Sequence, residues 1–166
     1  MRVFRLVLLS AALVAGLLSS GFFQLKPPEA RIENFGILTF ESERIVLNDN
    51  SVTGTDAFLD GVRWVKKTNE IPAEAGTRFG IEYVIYGSPH QAIEVVEIIT
   101  YPGTGLTNPE TGKTLKVSIC PKTVFANEPT LMGYGLDTAW EAKPGEWTFQ
   151  VEQNDQIVLE KRFQVM

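Results

Sequence analysis

Apolar and polar residues alternate along most of this chain with a period of two, the spacing of strands that put one face in a core and the other in water. The pattern is cleanest near the C-terminus. There Trp147, Phe149 and Val151 alternate with Glu146, Thr148, Gln150 and Glu152; after the polar turn Gln153-Asn154-Asp155, Ile157, Leu159, Phe163 and Val165 share a face. This predicts an antiparallel hairpin. Lys161 interrupts its apolar face, and a lysine there would reach water at an edge and discourage strand addition by another chain. A second hairpin is predicted from Phe79, Ile81, Tyr83 and Ile85, the turn Gly87-Ser88-Pro89-His90, and then Ile93, Val95, Ile99 and Tyr101. Further strands are expected over Ile32 to Phe40, Ile45 to Leu47, Phe58 to Val65 with Val62 and Trp64 on one face, Leu115 to Cys120, and Thr130 to Tyr134. Beyond the N-terminal segment no stretch holds a 3.6-residue period, so the expectation is roughly seven to nine strands and essentially no helix.

The opening segment differs. Arg2 and Arg5 precede an apolar run from Leu6 to Leu18, with Ser19 and Gly21 as small residues suited to cleavage. That is the layout of a secretory signal, which assigns residues 1–21 to a signal peptide, 22–29 to a short tether and 30–166 to one domain. The alternative is an uncleaved anchor, because Leu6 to Leu25 nearly spans a bilayer if Ser10, Ser19, Ser20 and Gln24 are tolerated. Positive charge stays cytoplasmic, so both outcomes predict a periplasmic or secreted domain, with membrane contact only through that segment. Acylation after export needs a cysteine at the cleavage point, and the single cysteine lies far away at Cys120.

Half-polar strands separated by Gly, Pro and Asn turns fit an all-β fold of two antiparallel sheets packed face to face better than a closed barrel. The run Lys143-Pro144-Gly145-Glu146-Trp147-Thr148-Phe149-Gln150-Val151 resembles the entry to the penultimate strand of fibronectin type III and other immunoglobulin-like sandwiches. Pro144 presets one central φ of the turn, Gly145 supplies the positive φ of the next, and Trp147 drops into the core. A wider resemblance rests on IPAEAGTRFGIEY (Ile71 to Tyr83), TNPETGKT (Thr107 to Thr114) and PGEWTFQV (Pro144 to Val151). In that order the segments resemble an uncharacterised family of exported bacterial proteins, a domain of unknown function. The resemblance implies a compact exported β-sandwich and brings no catalytic or binding residues with it.

Charge and cysteine content narrow the function classes. The formal net charge is −5, and removing Arg2 and Arg5 makes it −7. An acidic chain without clustered Lys and Arg has nothing to gain from counterion release at a phosphate backbone, which argues against nucleic acid as a partner. One cysteine cannot form an internal disulfide, so packing and the hydrogen-bonded sheets must carry stability. Leu115, Val117 and Ile119 take one face of their strand, which puts Cys120 in phase with Lys116 and Ser118 on the other, either as a small buried hydrophobe or as an accessible thiol.

No catalytic or cofactor motif is complete. Gly112-Lys113-Thr114 has the ending of a phosphate-binding loop, but Thr107 stands where the first glycine is needed and a strand follows where a helix should. The stretch Asn48 to Asp56 raises calcium, yet on an EF-hand loop Asp49, Ser51, Thr53, Gly54 and Asp60 put hydroxyls at two ligand positions and lack the bidentate glutamate. His90 is the only histidine and sits in a turn with no evident partner, and one His with one Cys does not make a zinc site. Glu94 and Glu97 fall on opposite faces of one strand, and Glu97, breaking an apolar face, reads as a strand edge.

What remains is surface for contact. The loop from Thr104 to Thr114, with Thr107, Asn108, Glu110 and Lys113, is the first candidate for partner binding, and the weakly patterned region around Tyr134 and Trp140, as exposed aromatic platforms, is the second. The expectation is a non-enzymatic module that binds a protein, an envelope component or a glycan through end loops or a sheet edge, since a sandwich core leaves no room for a pocket. The competing classes are an envelope hydrolase using carboxylate acid/base chemistry and an accessory module of an envelope assembly.

Overall fold

The computed structural model describes residues 29–166, and the segments assigned to the signal peptide and, but for Glu29, to the tether lie outside them. Thirteen strands follow in chain order: β1 (Ala30–Thr39), β2 (Ser42–Leu47), β3 (Thr55–Asp60), β4 (Arg63–Lys66), β5 (Glu70–Ile71), β6 (Thr77–Ile85), β7 (Ala92–Thr100), β8 (Leu106–Thr107), β9 (Thr114–Leu115), β10 (Val117–Phe125), β11 (Thr130–Leu136), β12 (Gly145–Gln153) and β13 (Gln156–Val165). Nine of them make the two principal sheets, in the orders β11-β6-β1-β4 and β10-β7-β12-β13-β5. The other four form two separate hairpins, β2–β3 and β8–β9. All pairings are antiparallel except the short contact between β13 and β5. Among the described residues there is no helix.

Both predicted hairpins form, as β6–β7 and β12–β13, because their inward residues meet across the sheets. Phe79 of β6 packs edge-to-face on Trp147 at 5.7 Å and on Phe163 at 5.2 Å, and all three are buried with Phe149. An aromatic side chain buries about 150–250 Å², which at about 25 cal/mol per Å² amounts to roughly 4–6 kcal/mol each as an upper estimate. Gly145 enters β12 at φ 131°, a conformation closed to other residues, and lets Trp147 reach the core, where its indole N–H donates to the Lys143 carbonyl at 3.1 Å.

Four details of the strand pattern depart from the alternation. The stretch Phe58 to Val65 breaks at Gly61 into β3 and β4, which join different sheets; Trp64, opposite Leu38, is half-buried. The β12–β13 register shifts after Val151, so Val151 faces Leu159 while Glu152 faces Ile157. That bulge leaves Ile157 46% exposed rather than in the core. Lys161 lies over the Phe35 ring at 3.3 Å rather than in open water. The strand expected to end at Cys120 runs on through Pro121 to Phe125, a proline tolerated because β10 is an edge strand, and its phase is inverted: Ile119 is 47% exposed while Ser118, Cys120 and Lys122 turn inward. Polar side chains face inward here because the space between the sheets is open at this end.

Candidate functional site

At the β10–β11 side the sandwich holds a cavity of about 690 Å³, roofed by the β2–β3 hairpin. The expectation that a sandwich leaves no room for a pocket is thereby corrected. β7 contributes Glu97 and Ile99, β10 contributes Ser118, Cys120 and Lys122, and the β11 strand with the loop that follows contributes Met132 and Trp140. Drug-sized ligands occupy sites of about 300–1,000 Å³, so the volume suits a bound molecule or a segment of chain.

Glu97 organises its polar floor. It follows Ile93 and Val95 in the inward phase of β7, a central strand between β10 and β12, and is 8% exposed, so its side chain does not mark a sheet edge. Its Oε1 accepts from the Tyr83 hydroxyl at 2.9 Å and the Lys122 ammonium at 3.1 Å, and that ammonium also donates to the Leu131 carbonyl of β11 at 3.2 Å. One carboxylate thus ties both sheets together. Burial pushes Glu97 above the ordinary carboxylate range, and Lys122 and the Tyr83 hydrogen bond oppose that shift. Tyr83 rises for the same reason, burial first and the Glu97 charge second. Glu94 lies on the outer face as expected, accepting from the Thr123 hydroxyl at 2.7 Å.

Cys120 sits opposite Glu97 on the neighbouring strand and directs its thiol at Asp56 Oδ2 of β3, 3.7 Å away. Burial raises its pKa, and Asp56 and Glu97 raise it further, so the group is a thiol and not an activated nucleophile. Half-buried in the cavity wall, it is neither a core hydrophobe nor a surface thiol. His90 lies outside the cavity, exposed in the β6–β7 turn at φ 59°.

The six residues expected at a binding surface separate into two groups. Asn108, Glu110, Tyr134 and Trp140 line the cavity, and Thr107 and Lys113 do not. Asn108 is 7% exposed and knits two loops, donating to the Val52 carbonyl at 3.3 Å and accepting from the Glu110 amide at 2.9 Å. Thr107 pairs with Thr114 across β8–β9 at 2.8 Å. Lys113 places its ammonium on the carbonyls of Asp49 and Ser51, the latter at 2.9 Å, so a lysine fills the oxygen-rich turn that suggested calcium. Tyr134 and Trp140 are not exposed platforms. The Tyr134 ring packs on Trp147 at 4.9 Å and its hydroxyl donates to Glu141, a carboxylate 2% exposed that also accepts from the Thr138 amide and hydroxyl, each at 2.7 Å. Trp140 is half-buried against the core. Among the described residues no cluster of three or more His, Cys, Asp or Glu side chains is placed to hold a metal.

Sequence reasoning took Glu97 for a strand edge and Asp56 for part of a calcium-like turn, and passed over Lys122. Glu97 did carry a signal, as a carboxylate at an inward position between apolar neighbours needs a buried partner. Lys122 lay beyond the predicted strand end.

Two antiparallel sheets face to face, with Trp147 at the entry to the penultimate strand, define an immunoglobulin-like β-sandwich. The crystal structure of an immunoglobulin-like protein from Pseudomonas aeruginosa superimposes with a TM-score of 0.58 at 24% identity, over 83% of this chain and 97% of that one. Residues 26–165 match the family described as a domain of unknown function, DUF3859, and the chain belongs to that family. Slighter likeness extends to a GH3 beta-glucosidase of Bifidobacterium adolescentis (TM-score 0.33, 10% identity, 77% of this chain and 17% of that one). A beta-D-glucoside glucohydrolase of Trichoderma reesei is similar to the same degree (0.35, 13%, 86% and 19%), and neither bears on function. No curated protein matches the chain.

Proposed function

We propose that this domain is an exported, non-enzymatic binding module of the cell envelope that seats its partner in the cavity between β10, β11 and the β2–β3 hairpin. The observation that carries the reading is the cavity itself, an open site of about 690 Å³ on which four of the six candidate contact residues converge. Export rests on the charged and apolar opening, Arg2 to Leu18, followed by small residues. Against nucleophilic catalysis stands the chemistry of the wall. The thiol is held protonated, and no imidazole lines the cavity.

One observation favours the hydrolase reading instead. Glu97 is a buried carboxyl with a raised pKa facing a cavity, the profile of a general acid. Its Oε1 is already committed to Tyr83 and Lys122, which favours a structural and ligand-orienting role.

Cys120 supplies the test, since it is the only thiol and lies in the cavity wall. Alkylation of Cys120 by a small maleimide should slow several-fold in the presence of solubilised envelope, and Glu110→Ala and Trp140→Ala should abolish that protection. If no envelope fraction changes the labelling rate, the binding reading fails. Turnover of an ester or glycoside panel that Glu97→Gln abolishes would establish the hydrolase in its place.

A further inference from the structure

The way each strand meets the cavity says what shape of ligand it takes. A strand seen face-on presents alternate residues, as β2 does with Glu43 and Ile45 and β7 with Glu97 and Ile99. β11 lines the cavity with every residue from Thr130 to Gly135, and β3 with every residue from Thr55 to Leu59. Consecutive residues mean that both strands are met edge-on, along their main chains. Among the described residues each has a free edge there: β11 is the outermost strand of its sheet, and β3 pairs only with β2.

The direction of the main-chain groups agrees. The Leu136 carbonyl accepts from Gly76 on the β6 side, and the Leu131 carbonyl is reached from the opposite side by Lys122. By alternation, Gly133 and Gly135 turn their N–H and C=O groups to the free edge, and neither carries a side chain to keep another backbone away. On β3, Gly54 and Asp60 direct their carbonyls to the β2 side, so Ala57 and Leu59 point theirs into the cavity. Lys122 holds the Leu131 carbonyl and the Thr53 hydroxyl the Thr55 carbonyl, and beyond these two groups both edges face one space without a strand between them among the described residues.

We infer that the cavity is a slot for an extended polypeptide segment of a partner protein, which adds as a strand between β3 and β11 and joins the hairpin to the four-stranded sheet. The inference rests on the binding reading and names the class of its ligand. At about 3.3 Å of rise, about 4.8 Å between strands and about 10 Å between sheets, a strand residue takes up about 160 Å³, so the slot holds about four residues of such a segment. Main-chain hydrogen bonds on both sides would hold it with little regard to sequence, and the walls would select its charge. Arg78 pairs with Glu43 and Asp137, and Lys122 with Glu97; among the described residues this leaves Asp56 and Glu110 in the lining without a cation, Glu141 being buried and held by Tyr134 and Thr138. The segment that fits carries lysine or arginine.

Short random peptides displayed on phage and selected against the full chain test this. The enriched sequences should alternate apolar and polar residues and include Lys or Arg. Synthetic versions should lose roughly tenfold in affinity when alternate amides are N-methylated, in either register, because one set meets β11 and the other β3. Ala57→Pro, which removes a free-edge N–H and none of the β2–β3 ladder, should weaken binding similarly with an unchanged thermal midpoint. Bound peptide should also slow hydrogen exchange at Gly133 and Gly135. Peptides that tolerate N-methylation in both registers overturn the inference, as does a selection that enriches nothing. In that case, protection of Cys120 by an envelope fraction would leave the binding reading standing, and its absence would remove both. A dimer in sedimentation that Ala57→Pro dissolves would make a second copy the occupant and overturn the assignment to a partner protein.

Discussion

Placing a carboxylate between two sheets costs free energy unless its charge is met, and Glu97 is met only in part, by Lys122 and Tyr83 through one oxygen. Its folded pKa lies above the ordinary value of 4.5, so the folded state holds the proton more tightly than the unfolded chain does. Stability from this group is therefore fully present below about pH 4.5 and is lost as pH rises through the higher folded value. Thermal unfolding of the native protein and of Glu97→Gln across pH 4 to 8 reads this directly. The advantage of the native protein over the variant should shrink as pH increases. An advantage that grows with pH would mean that the carboxylate is stabilised by the fold and not strained by it. Lys122→Met should widen the effect by removing the cation that opposes it.

Among the elements, the β2–β3 hairpin is anchored at its turn, where Val52 enters the core, and weakly along its strands. Among the described residues it pairs with neither principal sheet, and Ile45, Leu47 and Phe58 are 53%, 89% and 50% exposed. A segment with few buried apolar contacts opens locally at low cost. Hydrogen exchange over the strands Ser42–Leu47 and Thr55–Asp60 should therefore run orders of magnitude faster than over Thr77–Ile85, and equal protection would show that the hairpin is held by contacts stronger than its exposure implies. This element also marks the limit of what alternation can reveal. β6, β7, β12 and most of β13 were legible because each has one dry face, on which inward residues recur at every second position, as Trp147, Phe149 and Val151 do in β12. β10 misled for the opposite reason. Its apolar Ile119 faces water and its polar Ser118, Cys120 and Lys122 face the cavity, so periodicity survives while its sense is reversed. Asn108, Glu110 and Trp140 were found as polar or aromatic residues in loops and Tyr134 at the end of an expected strand, but their convergence on one space depends on a gap between sheet edges, which no local pattern encodes.

At the scale of the molecule, the space between the sheets has two ends of different character. One is a dry aromatic cluster of Trp147, Phe149 and Phe163, each no more than 1% exposed, the other is the polar cavity around Glu97, and Phe79 stands between them, packed on the cluster and lining the cavity. Close packing makes the first end intolerant of lost volume, since a deleted side chain leaves a void that its neighbours fill only in part. The cavity end is already open, and side chains at its rim leave no new void when shortened or neutralised. Stability and binding should therefore respond to different substitutions. Phe149→Ala is expected to cost about 3–5 kcal/mol, the range for a buried aromatic replaced by alanine. Glu110→Gln, at an exposed rim position, should stay within about 0.5 kcal/mol of the native protein. Chemical denaturation of both variants decides the matter, read against Cys120 protection for Glu110→Gln. If Glu110→Gln proves as destabilising as the aromatic deletion, the cavity rim is part of what holds the fold, and the division between a stabilising end and a binding end is lost.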